Sequence, residues 1–464
     1  MSVRRSAAIF GAATVMGHAS QLVWLAAGSR AMSPDTFGQV LAAQTLYAVL
    51  QIFVDIGTAT LGARNVARGE LNDGSLGELV RIRMALVFGV APIALFLGVL
   101  GISGSLVATI PFVAALVLFG AFNVWVPYGG GDARPWATYM FARSALPACV
   151  ATGFVVLGSD FPAPLAGALE CAVLVVVMVV YGQRPLRELR LALAARRGPW
   201  RAVLAIGAPP VMAQTSMAAG TFILSGAGRP AAAGVFAACV RLLTGLNAIN
   251  GIVATAMYPR LAQSGRAATT ADAALVTIAL QLIALLAAGA TGVCALAGGA
   301  ITAAFIGTSS GQAATALVLT TAAALPLGNI IMFSYQLVAA GHERDSMVPF
   351  AVGAVATIGC GLVAAAVGGP RVDLVAAALV GGQLLAQCLL ALRLVRRSPQ
   401  LRSAAAQSTA VAVIVVLLAC GSLAADLRVA AGVGLLAIAA AILWRLAPAA
   451  RALAGRASNL GDRS

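Results

Sequence analysis

The side chains of this chain that could do chemistry are few, and they sit inside apolar runs. Between Phe37 and Leu61, Gln44, Gln51 and Asp55 are seven and four residues apart, a spacing that puts them on one face of a helix. Thr14, His18 and Gln21 share a face in an earlier run, and Arg241, Thr244, Asn247 and Asn250 do so in a later one. Pro326, Asn329 and Gln336 form a further set, and Gln214 follows Pro209-Pro210. Amides, one carboxylate and one guanidinium in such company point to recognition by hydrogen bonds and charge. Covalent catalysis is not indicated: there is no Walker sequence and no His/Cys cluster with metal-ligand spacing. The seven cysteines lie in apolar runs without CxxC spacing and read as small buried hydrophobes. No metal, no cofactor and no enzymatic activity is expected.

An ionised side chain at mid-membrane costs at least ~2.5–3.5 kcal/mol on insertion scales. Asp55 and Arg241 should therefore face a wet cavity or a partner. His18 also fits as a neutral, hydrogen-bonded imidazole, and each Gln, Asn or Thr taken alone serves equally to brace a neighbouring helix. Arg241 lies eight residues into its run, or ~12 Å by helix rise. Its five donors suit bidentate contact with phosphate oxygens; the alternative is a fixed salt bridge to Asp55 or Glu170. Arg143 and Glu170 each lie ~10 Å inside opposite boundaries by the same rise. They should stand at different levels and not pair.

The elements that must carry these residues follow from composition. Of 464 residues 61% are hydrophobic and 10% charged, with mean hydropathy +0.95, too apolar for a soluble chain of this length. Apolar runs of about 20 residues recur to the end without strand-like alternation, so the fold class is all-α and polytopic in a membrane. Fourteen spans are expected, at 7–29, 37–61, 82–101, 106–127, 137–158, 163–182, 202–225, 233–257, 273–298, 313–339, 348–368, 374–395, 405–424 and 429–447. The opening run, Ala7 to about Ala27, is too long for a signal peptide and holds His18 and Gln21, so it reads as the first span. Prolines 92, 111, 147, 209, 210 and 326 should bend their helices.

The net charge of +15 does not indicate nucleic acid. All 30 basic residues are arginine and they gather between the runs. Gaps on the N-terminal side hold 24, opposite gaps hold 4 (Arg30, Arg229, Arg371, Arg428), and Arg143 and Arg241 fall inside spans. By the positive-inside rule both termini are cytoplasmic. Arg83 is counted among the gap residues. Arg64 and Arg68 should anchor a helix exit at the anionic inner leaflet.

The longest N-terminal-side gap, Gln183–Arg201, divides the spans six before and eight after. Segments beginning at Phe37 and Ala233 align without a gap at an offset of 196, with Gly38 on Gly234, Ala42 on Ala238 and Arg64 on Arg260. The expected organisation is an N-terminal lobe 1–182, an Arg-rich linker 183–201, a C-terminal lobe 202–395 as a parallel repeat, and an appendage of two spans with a tail at 396–464.

Ser33–Gly69 (SPDTFGQVLAAQTLYAVLQIFVDIGTATLGARNVARG) resembles the first signature region of bacterial polysaccharide flippases: a loop ending in Phe-Gly, a long helix, then Asp-x-Gly and arginine. MYPRLAQS (Met257–Ser264) is similar to the matching exit of the eighth helix, and AAGHERDSM (Ala339–Met347) to the loop between the tenth and eleventh. The family is the Wzx-type lipid-linked oligosaccharide exporters of the multidrug/oligosaccharidyl-lipid/polysaccharide (MOP) superfamily. The resemblance implies two six-helix lobes around a central cavity and two helices lining a groove for a lipid tail, in a bacterial inner membrane. It also implies the substrate, undecaprenyl-pyrophosphate-linked oligosaccharide units carried to the outer leaflet. Membrane lipids and other polysaccharide-assembly proteins would be partners, with no nucleic acid.

Within that frame Arg241 meets the pyrophosphate, while Gln44, Gln51, Gln214, Asn247, Asn250, Asn329 and Gln336 line the cavity. Asp55, His18 and Glu170 couple ions or gate. The first span lacks the arginine found there in peptidoglycan-precursor flippases, which argues against that substrate. A cation-coupled multidrug exporter of the same superfamily is the nearest alternative, although the last two spans count against it. A polysaccharide polymerase or ligase would need a large outer loop, and no outer gap exceeds about fifteen residues.

Overall fold

A computed structural model describes residues 3–67, 69–123, 132, 134–195, 198–264, 270–339, 342, 344–368, 371–421, 424 and 427–461. Every regular element among them is a helix. In chain order these are α1 (Val3–Ala31), α2 (Pro34–Asp55), α3 (Thr58–Ala67), α4 (Asp73–Val99), α5 (Leu106–Ala121), α6 (Arg134–Val156), α7 (Leu165–Val180), α8 (Pro185–Ala194), α9 (Trp200–Gly226), α10 (Pro230–Ser264), α11 (Thr270–Ile306), α12 (Gly311–Ala322), α13 (Ala324–Ala339), α14 (Arg344–Gly368), α15 (Val372–Arg397), α16 (Arg402–Gly421) and α17 (Arg428–Gly461). Each of the fourteen expected spans has a helical counterpart. Nine helices among the described residues are long and apolar enough to cross a membrane by themselves, with Leu106–Ala121 and Arg428–Trp444 shorter apolar helices. α4 turns Phe88, Phe96 and Val99 outward, as a lipid-facing surface does.

Local sequence sets the boundaries. Ser33 Oγ accepts from Thr36 N, with Pro34 starting α2, and Asn72 and Ser75 form a reciprocal capping box at α4. Ser105 and Ser310 cap α5 and α12. α4 therefore begins at residue 73, so Arg83 is inside a helix and 2% exposed, not in a solvent gap. It caps another helix instead: its Nη1 donates to Phe122 O (2.8 Å) and Asn123 Oδ1 (3.2 Å), and its Nη2 to Phe119 O (3.0 Å), at the last turn of α5. Its guanidinium also lies over the Phe119 ring.

Two spans are broken. Between α2 and α3, Ile56 has φ +21° and Gly57 +84°, a left-handed excursion that glycine alone adopts freely. Between α12 and α13, Pro326 cannot return a hydrogen bond to Ala322 and its ring crowds that carbonyl. α8, in the segment 183–201, turns 89° from α7. It exposes Leu186 and Leu193 and packs its inner face on α4, where Gly77 meets Leu191.

The helices before residue 183 and those after it meet along α2, which packs against both α9 and α10, and along α1, which touches α10 and α11. α12 and α13 run through the centre of the second half. α16 packs on α15, α11 and α12, and α17 on α11 and α16. The side on which α1 begins is called the N side below.

Candidate functional site

α2 meets α10 at its far end and α9 at its N-side end. On the far side a methyl at Gly38 would lie 1.8 Å from Pro230 O, and one at Gly234 would lie 2.7 Å from Gly38 Cα. The far side is closed further by Arg30 Nη1 on Ala304 O (3.0 Å) and Ser225 Oγ on Gly101 O (2.7 Å). On the N side a methyl at Gly207 would lie 2.1 Å from Ile56 C, at the α2–α3 break. Between the seams is a cavity of about 140 Å³, walled by residues of both halves, including Gln21, Trp24, Gln44, Tyr47, Arg143, Glu170, Gln214, Thr221 and Arg241.

Tyr47, Arg143 and Glu170 of that wall are joined by a hydrogen-bonded cluster that extends behind it to Gln51 and Tyr139. Gln51, 6% exposed, donates from Nε2 to Tyr47 Oη (2.8 Å) and Tyr139 Oη (2.6 Å). Both tyrosines donate to Glu170 Oε1, at 3.1 and 2.8 Å. Arg143 Nη1 donates to Gln51 Oε1 (3.0 Å), and its Nε is 3.7 Å from Glu170 Oε1. The guanidinium also stands over the rings of Tyr47 and Tyr139. Arg143 and Glu170 thus pair, contrary to the level argument from sequence. α7 has only 16 residues, so its far end starts deep in the bundle. Counted from the N-side ends Arg134 and Val180, Arg143 and Glu170 are both ~14–15 Å in.

Across the cavity, Gln44 Oε1 accepts from Trp24 Nε1 (3.3 Å). Arg241 makes no side-chain hydrogen bond or ion pair among the described residues, so neither Asp55 nor Glu170 neutralises it. Arg143, a like charge, lines the same cavity. Arg241 and Gln21 also belong to the wall of a second, larger cavity of about 510 Å³ between α1, α10, α11 and α12. That one is apolar, lined by Leu22, Leu246, Ile301 and Phe305 among others, and Val15 and Val293 at its edge are exposed. His18 lies there, not in the polar cavity.

The remaining candidates are elsewhere. Asp55 caps α3 across the break, with Oδ1 accepting from Thr58 Oγ1 (2.9 Å) and Ala59 N (3.0 Å), and it lines neither cavity. Asn250 donates to Asn247 Oδ1 (3.1 Å) and Ala324 O (3.3 Å), tying α10 to the α12–α13 break. Asn329 is buried, with Nδ2 toward Ser408 O, and Gln336 is buried; Asn329 Oδ1 and Gln336 Nε2 have no hydrogen-bond partner among the described residues. Gln51, Asn247, Asn250, Asn329 and Gln336 are thus not lining residues of the polar cavity. Their shared faces were legible, but the neighbour each face meets is a packing outcome. Arg68, residues 340, 341 and 343, and the side chains of Arg64 and Met257–Ser264 lie outside the described residues. Among the described residues no group of three His, Cys, Asp or Glu side chains is close enough to hold a metal ion.

Sequence reasoning passed over Tyr47, Tyr139 and the importance of Arg143. A signal existed: Tyr47 falls three after Gln44 and four before Gln51, on the same stripe, and Tyr139 falls four before Arg143.

Long helices in two halves that close on a central polar cavity describe a known architecture. The fold is that of the MATE and MurJ transporters. An inward-facing multidrug resistance MATE family transporter of the MOP superfamily superposes with TM-score 0.61 at 14% identity, covering 84% of this chain and 96% of its own. The lipid II flippase MurJ, in its inward closed conformation, gives 0.59 at 10% identity, covering 94% and 98%. A MOP superfamily transporter from Pyrococcus furiosus, described by the reverse polarity of its binding pocket, gives 0.54 at 16%, covering 86% and 97%. No family model and no curated protein matches the sequence.

Proposed function

We propose that this chain is a flippase that moves an undecaprenyl-pyrophosphate-linked oligosaccharide from the cytoplasmic to the outer leaflet of a bacterial inner membrane by alternating access. One observation carries the reading. Arg241, with no counter-ion among the described residues, stands in the shared wall of a polar cavity and an apolar one. An amphipathic lipid with an anionic head fits that junction, with the phosphate against the guanidinium and the first isoprene units along α1 and α10. A cationic drug would meet two arginines and one carboxylate, which favours the lipid over the multidrug alternative. The similarity in fold to the lipid II flippase MurJ supports the same class.

The cavity of about 140 Å³ has room for a pyrophosphate-sized group and not for a sugar chain. The halves, 1–182 and 202–395, therefore part at one face to load and at the other to unload, and the two glycine seams are the surfaces that separate. The arginine distribution supports a cytoplasmic N side.

Replacement of Arg241 tests the reading. Arg241→Lys should keep partial export and Arg241→Ala should abolish it at normal protein level, with the lipid-linked intermediate accumulating inside and the purified variant no longer binding lipid pyrophosphate. Full export by a normally expressed Arg241→Ala variant would overturn it.

A further inference from the structure

The cavity holds two arginines and only one of them has a carboxylate beside it. Glu170 is 5% exposed, yet it lines the cavity with Arg143. Among the described residues its polar contacts converge on a single oxygen, Oε1: Tyr47 Oη at 3.1 Å, Tyr139 Oη at 2.8 Å and Arg143 Nε at 3.7 Å. The two hydroxyl contacts are hydrogen bonds. The third, to the guanidinium, is beyond hydrogen-bond reach. Arg143 is held by other means, through Nη1 on Gln51 Oε1 at 3.0 Å and by the faces of two tyrosine rings.

This division has a consequence. If an anion arrived at Arg143, Glu170 would keep both tyrosine bonds and Arg143 would keep its bond to Gln51. Only the loose charge contact between them would be exchanged. An Arg–carboxylate pair built for stability is short and bidentate, and this one is neither.

We infer that Glu170 is the cavity's internal competitor for Arg143: the anionic phosphate group of a ligand held by Arg241 binds by taking over Arg143 from Glu170, and the returning carboxylate helps expel it. The inference rests on the reading of Arg241 as the anion contact and assigns its partner in the other half of the chain. Without a ligand, Glu170 offsets one of two like charges that repel each other across a small cavity. With a ligand bound, both guanidiniums face phosphate oxygens, one from each half, and the anion bridges the halves. Release then follows from the competition, because the carboxylate already stands beside Arg143.

The test uses the full-length protein in lipid nanodiscs with inorganic pyrophosphate as the probe, measured by calorimetry and by dissociation kinetics. Glu170→Gln removes the competing charge and leaves an amide oxygen to accept from the tyrosines. It should bind pyrophosphate roughly tenfold more tightly than the parent, a difference of about 1.4 kcal/mol, mainly through slower dissociation. Arg143→Gln/Glu170→Gln should lose that gain and bind through Arg241 alone. If Glu170→Gln does not fold, Glu170→Asp, which withdraws the carboxylate by one methylene, should show a smaller tightening. Unchanged or weaker binding in the folded variant, with Arg241→Ala abolishing binding, would overturn the competitor and leave the Arg241 reading standing. Binding that survives Arg241→Ala unchanged would overturn that reading, and the competitor with it.

Discussion

Gly38 and Gly234, matched in sequence at an offset of 196, lie against each other: a methyl built on Gly234 would be 2.7 Å from Gly38 Cα. Gly38→Ala would put a methyl 1.8 Å from Pro230 O, which backbone cannot accommodate in place. The seam should part at a cost of about 1–3 kcal/mol. In a cysteine-free background, a thiol at the cavity position Ala237 should then label faster from the far side. Unchanged labelling would mean that the seam does not gate.

The N-side seam should respond in the opposite sense. Gly207→Ala meets Ile56 C at 2.1 Å and Ile56 O at 2.3 Å, so labelling at the same thiol should rise from the N side and not from the far side. Equal acceleration from both sides would point to general loosening of the bundle.

At the α2–α3 break, Asp55 acts through Oδ1 as a helix cap. Asn offers the same acceptor, so Asp55→Asn should leave the thermal midpoint close to the parent, whereas Asp55→Ala should lose about 1 kcal/mol. A large loss in the Asn variant would show that the charge itself is needed.

Arg83 holds the last turn of α5 through Phe119 O and Phe122 O. Arg83→Met should cost about 1–3 kcal/mol for each carbonyl left unpaired, seen as a marked loss of folded protein in detergent. Lys, without the planar fork, should rescue only in part.

On α8, burial pushes the Glu188 carboxyl above its ordinary value, against the opposing pull of Asn123, Arg83 and Arg187. A raised folded pKa means that the protonated form is favoured by folding. That contribution is complete below the unfolded value and is lost as pH rises through the folded one. Glu188→Gln should therefore flatten the fall of the thermal midpoint as pH increases from about 4.5. An identical pH profile in both proteins would remove Glu188 from the account.

What each segment could become follows from residue order. Apolar length made the helices, Ser33, Asn72, Ser105 and Ser310 started four of them, and Pro326 and the Ile56-Gly57 pair broke two. The offset of 196 already matched Gly38 to Gly234. These are local or periodic properties, carried by a few neighbouring residues. Only the tertiary structure decided which face meets which. Arg143 and Glu170 pair because α7 is short and starts deep. Arg83 is buried because α4 begins at Asp73 and runs past the end of α5. Asn250 and Asn329 brace helices while Arg241 is left to the cavity, although all three are polar groups on apolar helices. Such outcomes depend on helix offset and rotation set by packing across the bundle, to which residues more than a hundred positions apart contribute.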